Sequence, residues 1–465
     1  MKKTYITLLI CSLGFAGCNK FDDEINTDPN RPSQASGTQL IANAELSLSG
    51  LSSVPAAQFM AQYLSETQYP VGSLYPDGGT SFYGLYQGPL MNLETVLKST
   101  TLSANEGLVV NQQAVAKILK AYYMWHITDR WGDVPYTEAL KGVDDFKPAY
   151  DTQQSIYNSL FALLDEANAG IATGTISNDI VYGGDMTKWK KLGNTIRLLM
   201  ALRLSQVDAA KGNAEFNKAL TAGIMTSNAD NMVFKHLADA ANQSYWFGQV
   251  VNQNREWWAL TDNLVNMLKP VSDPRLAVYG KPTKKDASFT GLRFGTEVGM
   301  NVTDFSLLGA AIHAQAQQIH LVTYAQTLFA RAEAAKLGWI AGGDVTAKTN
   351  YDAAIQASVL QWTGVTTGAA ALITQPGVVY SPATALEQIG NQRYIHLFMN
   401  GYEAWAEWRR TGFPSNLITP KGKAIPTRNA YPPNETFTNK DNYTAAVTRA
   451  LGGKDDLYGK VWWDK

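Results

Sequence analysis

Cysteine, histidine and excess charge of either sign are scarce in this chain, and each scarcity removes a class of function. There are 2 cysteines in 465 residues. Cys11 lies inside an apolar leader, so a processed chain keeps Cys18 alone and cannot form an internal disulfide. Of the 5 histidines, His313 and His320 are nearest in sequence, and their spacing along a helix is about 10 Å, too far to share one ion. HExxH, GxSxG, CxxC and a phosphate-binding glycine loop are all missing, so no metal and no cofactor is expected. Lys plus Arg number 39 against 40 Asp plus Glu, which leaves no net field to draw in nucleic acid or anionic lipid. Long apolar runs are missing too. The one apolar stretch, residues 4–17, is shorter than a membrane span requires.

What stands at the start instead has the layout of an export signal. Lys2 and Lys3 precede the apolar stretch, and the small residues Ala16 and Gly17 lead into Cys18. This junction looks like a bacterial lipobox, in which the cysteine is acylated and becomes the first residue, with Phe15 in place of the usual leucine. The alternative is cleavage nearby and a soluble periplasmic protein. A single thiol at the new terminus of an exported chain is better explained by acylation than by redox chemistry. Residues 1–17 are therefore read as a signal peptide and 18–40 as a lipidated, polar, proline-containing tether. The acidic run Asp22, Asp23, Glu24 resembles the surface-export signal of Bacteroidetes lipoproteins. Residues 41–465 form the folded body, long enough for one large domain or two lobes, since single cores stop growing at roughly 250–300 residues.

Within that body the dominant period is helical. Val115, Ile118, Leu119 and Tyr122 make an apolar stripe within 111–130, closed by Gly132 and Pro135. Ile156, Leu160 and Leu163 repeat the pattern behind Asp151, which suits a cap, and Leu192, Ile196 and Leu199 repeat it behind Trp189. Leu321, Tyr324, Ala325, Leu328 and Ala332 predict a helix ending near Gly338, and 385–410 predicts one or two more. Alternating strand patterns are rare, so the fold class is mainly α, with antiparallel helix pairs as its unit. Long glycine- and proline-rich stretches at 69–89, 234–256, 281–300, 364–382 and 414–438 separate the helices. Loops of that length carry function or are disordered, and their aromatic content argues against disorder.

Several segments together carry a family resemblance. The tether NTDPNRPS, TDRWGDVPYTEAL from Thr128, KWKKLGNTIRLLMALRLS from Lys188, DPRL from Asp273, LEQIGNQRYIHLFMNGYEAWAEWRRTGFP from Leu386, IPTRNAYPPNE from Ile425 and the terminal VWWDK resemble the SusD/RagB nutrient-binding outer-membrane lipoproteins, and within them the SusD-like branch. The match runs in order through nearly the whole processed chain. It implies diverged tetratricopeptide-like helix pairs with a second, irregular, loop-rich face. It also implies a lipid-anchored protein at the cell surface, on the outer membrane, that captures an oligosaccharide or a peptide and hands it to a SusC-like TonB-dependent barrel.

The same motifs have structural roles on physical grounds. Trp131 and Tyr136 can pack over a helix end closed by Gly132. Glu407 and Arg410 are spaced for an ion pair, and Arg409 for stacking on Trp405. Glu403 and Glu407 share a helix face, and paired carboxylates are the raw material of a glycoside hydrolase. Neighbours on one helix cannot flank a scissile bond, however, and Arg409 and Arg410 are expected to hold both acids ionised. No enzyme is therefore expected. The alternatives are a surface glycoside hydrolase and a structural lid that binds nothing itself.

Binding sugars at modest affinity takes aromatic faces for the ring and amide or charged groups for the hydroxyls. Two loop stretches supply them: Tyr75, Tyr83 and Tyr86 in the first, and Trp246, Trp257 and Trp258 with Asn254 and Arg255 in the second. The family fixes no ligand motif, so these residues mark regions.

Overall fold

The computed structural model describes residues 35–76 and 78–464. The signal peptide, Cys18 and the acidic run lie outside the described residues. The folded body starts before residue 41: helix α1 (Gly37–Leu46) opens on Ser36, whose hydroxyl accepts from the Gln39 N–H while the Gln39 side chain accepts from the Ser36 N–H.

Helices α2 (Met91–Lys98), α3 (Val109–Trp131), α4 (Gln153–Gly170), α5 (Met186–Arg203) and α6 (Ala209–Ala222) continue the chain. The predicted stripe of α3 is buried, and so are Ala114, Ala116, Ala121, Tyr123 and Trp125 around the rest of its circumference, which makes it a central helix with neighbours on every side. It stops where Gly132 takes a φ of 85°. Pro135 then enters a short antiparallel ladder between β2 (Val134–Pro135) and β3 (Tyr150–Asp151), which follow β1 (Leu64–Glu66) in the chain. Asp151 accepts from the Tyr136 and Thr137 N–H groups at 2.9 Å and so ties this ladder. The cap of α4 is Thr152, whose hydroxyl accepts from the Ser155 N–H, so the expectation for Asp151 is corrected by one residue.

A second group comprises α7 (Tyr324–Lys336), α8 (Gly343–Thr363), α9 (Ala385–His396) and α10 (Gly401–Thr411), with α11 (Lys440–Leu451) near the C-terminus. Leu321, expected on α7, lies instead on a strand that ends before the Thr323 cap. That strand, β6 (Gln318–Val322), pairs with β4 (Met232–Lys235), and β5 (Trp258–Leu260) pairs with β1. Helices α3 with α4, α5 with α6, and α7 with α8 pack as pairs.

Hydrophobic packing separates into a large core around α1 to α6, another between α7, α8 and α9, and a third beneath the irregular face. The third holds Tyr63, Trp246, Trp258, Tyr279 and Phe398. The chain is thus mainly α, with its loop-rich face supported by its own aromatic core.

A buried ionic network joins the helix layers. Arg203 on α5 binds Asp129 of α3 at 3.1 Å, Glu403 of α10 at 2.8 Å, and Glu407. Arg393 and Arg410 share Glu333 and Glu407. Arg409 lies 3.8 Å over the Trp405 ring, and the terminal Trp463 donates to Asp129 at 2.8 Å. The motif from Gly401 to Pro414 is therefore a structural lock.

Candidate functional site

The third core carries an exposed aromatic platform. In the antiparallel register Glu66 faces the buried Trp258, and Trp257, directly before the strand, is half-buried beside it. Thr67 fixes the Trp257 backbone, its N–H and hydroxyl both donating to the Trp257 carbonyl, at 2.9 and 3.1 Å. Tyr69, 61% exposed, meets the Trp257 ring edge-on at 5.0 Å, and the Arg255 guanidinium stands 5.7 Å from that ring. Trp258 underlies Trp257 at 5.0 Å, and Trp246 underlies Trp258 at 5.2 Å. The result is a rigid stack with one half-buried indole at its surface.

Polar groups rise from the neighbouring loop. Asn252 and Asn254 are exposed, Asn254 in left-handed geometry with φ 52°. Arg255 donates to the Gln249 side chain at 2.8 Å, which holds it beside Trp257. Amide and guanidinium donors next to an apolar face form the arrangement that suits a sugar's hydroxyls and ring.

Glu66 lies under the stack, only 8% exposed, and burial pushes its carboxyl up to about 7. The indole N–H groups of Trp257 and Trp258 pull it back down, as does the Gly72 backbone, yet neither indole reaches hydrogen-bonding geometry and both are buried without a partner. Neither Glu66 nor Tyr69 stood out in the sequence. Tyr69 carried one signal, an aromatic directly before Pro70 at the start of a long loop.

The expected residues divide. Trp257 and Arg255 share the platform, with Trp258 as its support, and Asn254 is exposed on the adjoining loop. Tyr75 and Trp246 are corrections, because both rings are buried and their polar atoms are engaged. The Tyr75 hydroxyl accepts from Gln62 at 3.0 Å and donates to the Phe59 carbonyl, and the Trp246 indole donates to Ser53 at 3.0 Å. Tyr83 and Tyr86 lie elsewhere, in a cleft of about 520 Å³ that also takes lining from Phe146 and Glu435. The two aromatic stretches therefore meet through Tyr69 and Trp257, while Tyr83 and Tyr86 of the first lie apart in the cleft.

The acidic pair of α10 is enclosed. The cavity beside Glu403 measures about 20 Å³, room for a water and far too small for a sugar ring. Arg410 binds Glu407 alone of the two, and with Arg393 and Arg203 it holds that carboxyl well below the ordinary range. Arg409 instead donates to the Thr427 and Asp129 carbonyls. Among the described residues the cation paired with Glu403 is Arg203, and burial raises its pKa, so the expectation that Arg409 and Arg410 keep both acids ionised is corrected. His320 lies on β6 and His313 in a turn, not on a helix. Among the described residues no group of three His, Cys, Asp or Glu could hold a metal, and no helix is long and apolar enough to cross a membrane.

Residues 29–432 match the family model described as starch-binding associating with outer membrane. The chain belongs to the SusD-like family. A solved chitin-binding protein is similar to this SusD-like chain at 30% identity, covering 92% of this chain and 100% of its own with a TM-score of 0.81. A SusD homolog from Bacteroides fragilis is 25% identical over 93% and 100% of the two chains, with a TM-score of 0.79. A chitin-binding SusD homolog from Flavobacterium johnsoniae is 25% identical over 92% and 98%, with a TM-score of 0.75. No curated protein sequence matches the chain. The SusD-like family is one of nutrient-binding proteins associated with the outer membrane, and its fold accounts for the helix pairs and the irregular face found here.

Proposed function

We propose that this SusD-like chain is a lipid-anchored surface protein that captures oligosaccharides on the Tyr69–Trp257 platform. It delivers them to a SusC-like TonB-dependent barrel and does not cleave them. The observation that carries the reading is the half-buried Trp257 ring, backed by Trp258 and Trp246 and flanked by Arg255 and Tyr69. A ring held this way loses little freedom when a pyranose stacks on it, so the contact energy goes into affinity. Relatives named for binding starch and chitin support the ligand class. Binding without turnover accords with the closed packing around Glu403 and Glu407.

Titration calorimetry of the chain from residue 19 onward against chitin oligosaccharides, starch oligosaccharides and a peptide panel tests the ligand. Replacing Trp257→Ala should weaken binding at the platform by about 1–3 kcal/mol, the scale of a stacked aromatic contact, with the circular dichroism unchanged. Undiminished affinity there would remove the platform from the site. Cys18→Ala should leave the protein in the soluble fraction of cells, and persistent membrane association would refute the anchor.

A further inference from the structure

We propose that the cleft around Tyr83, Tyr86 and Phe146 is a second glycan-binding site, independent of the Trp257 platform. It rests on the reading that the protein binds oligosaccharides. The cleft encloses about 520 Å³, within the range of roughly 300–1,000 Å³ typical of ligand pockets.

Its wall is aromatic, and its polar groups include two carboxylates and two amides. Phe146 is 74% exposed although it lines the cleft. Rings left in water at the mouth of a pocket supply the flat apolar faces on which a pyranose stacks. Glu435, 5% exposed in the wall, accepts from the hydroxyls of Tyr83 and, at 2.5 Å, of Tyr150. A carboxylate has about four acceptor positions, so Glu435 keeps capacity for sugar hydroxyls. Gln87 and Asp145 add an amide and a second carboxylate to the lining. Tyr86, whose hydroxyl donates to the Pro135 carbonyl at 2.5 Å, fixes one wall to the β2 ladder.

Independence follows from construction. Tyr83, Tyr86 and Leu140 pack on the large core of α1 to α6, whereas Trp257 packs on the core beneath the irregular face. The segments 135–148 and 434–438 that build the cleft contribute nothing to the platform, while the 69–89 loop places Tyr69 on the platform and Tyr83, Tyr86 and Gln87 on the cleft. Two such sites on one rigid body let a long polymer bind by both, the second contact being intramolecular, while a short oligosaccharide engages each separately.

Calorimetry with six- and seven-sugar chitin and starch oligosaccharides should return two sites per protein. Phe146→Ala and Gln87→Ala, both at exposed positions, should each weaken one site at least tenfold and leave the other intact, whereas Trp257→Ala should do the converse. A single site abolished by Trp257→Ala and unmoved by Phe146→Ala or Gln87→Ala would overturn the second site while sparing the platform. A single site lost in Phe146→Ala and kept in Trp257→Ala would overturn the platform and sustain the cleft. Failure of the unaltered protein to bind any of these sugars would overturn both.

Discussion

Replacing Glu66→Gln should remove a pH dependence from folding stability, and its size follows from the burial of that carboxyl. An ordinary glutamate titrates near 4.5, and in the fold Glu66 titrates at about 7. Between those values the native state keeps the proton and the unfolded state has released it. Stability therefore falls as pH rises through this window, is flat below it, and stays lowered above it. At about 1.4 kcal/mol per pH unit the interval amounts to about 3 kcal/mol as an upper bound. The substituted amide has the shape of the protonated acid and no charge to desolvate. The variant should match the parent near pH 4.5 and exceed its stability near pH 8 by up to about 3 kcal/mol. Urea unfolding at a series of pH values, followed by tryptophan fluorescence, reads this directly. A difference between variant and parent that does not change from pH 4.5 to 8 would refute the burial argument. A variant less stable at pH 8 would mean that the anion is stabilised, with the indole N–H groups outweighing desolvation.

The other expectations concern the helix layers. Glu407→Gln leaves Arg203, Arg393 and Arg410 with one buried anion fewer, and should cost about 3–5 kcal/mol in urea unfolding; a loss under about 1 kcal/mol would show that Glu403 takes over by ionising. Gly401→Ala would place a Cβ 2.1 Å from the Ala57 carbonyl oxygen, backbone that cannot move aside, so thermal melting should show marked destabilisation or failure to fold, and an unchanged melting temperature would contradict the contact. Thr152→Ala removes the α4 cap and should cost about 1 kcal/mol by the same unfolding measurement.

The helices were legible because their signal is local. An apolar stripe at helical spacing needs only its own residues to declare itself, and those of α3 and α5 are buried where expected. Leu321 was misplaced for a related reason: at the edge of such a stripe a strand residue and a helix residue look alike, and only the pairing of β6 with β4 separates them. The cap at Thr152 and the turn at Asp151 are both polar groups before a helix, and tertiary hydrogen bonds to Tyr136 and Thr137 decide between them.

The candidate site was half legible. Aromatic residues in long loops are visible in sequence, but whether a ring serves the surface or the core depends on what lies beneath it. Tyr75 and Tyr83 stand close in the chain, yet one is sealed against Phe294 and the other opens on a cleft beside Glu435. The acids of α10 show the same limit: Glu403 and Glu407 look equivalent by spacing, and burial of Glu403 together with the pairing of Arg410 and Arg393 to Glu407 makes them opposite in acidity.

The helical class and the family to which the chain belongs could both be read from the residues in order, because periodicity and a succession of motifs are properties of neighbours in the chain. Folding alone settled which aromatics face solvent, that they form a platform and a separate cleft, and that the paired acids are locked in a core. Burial and charge pairing depend on residues that only the folded chain brings together.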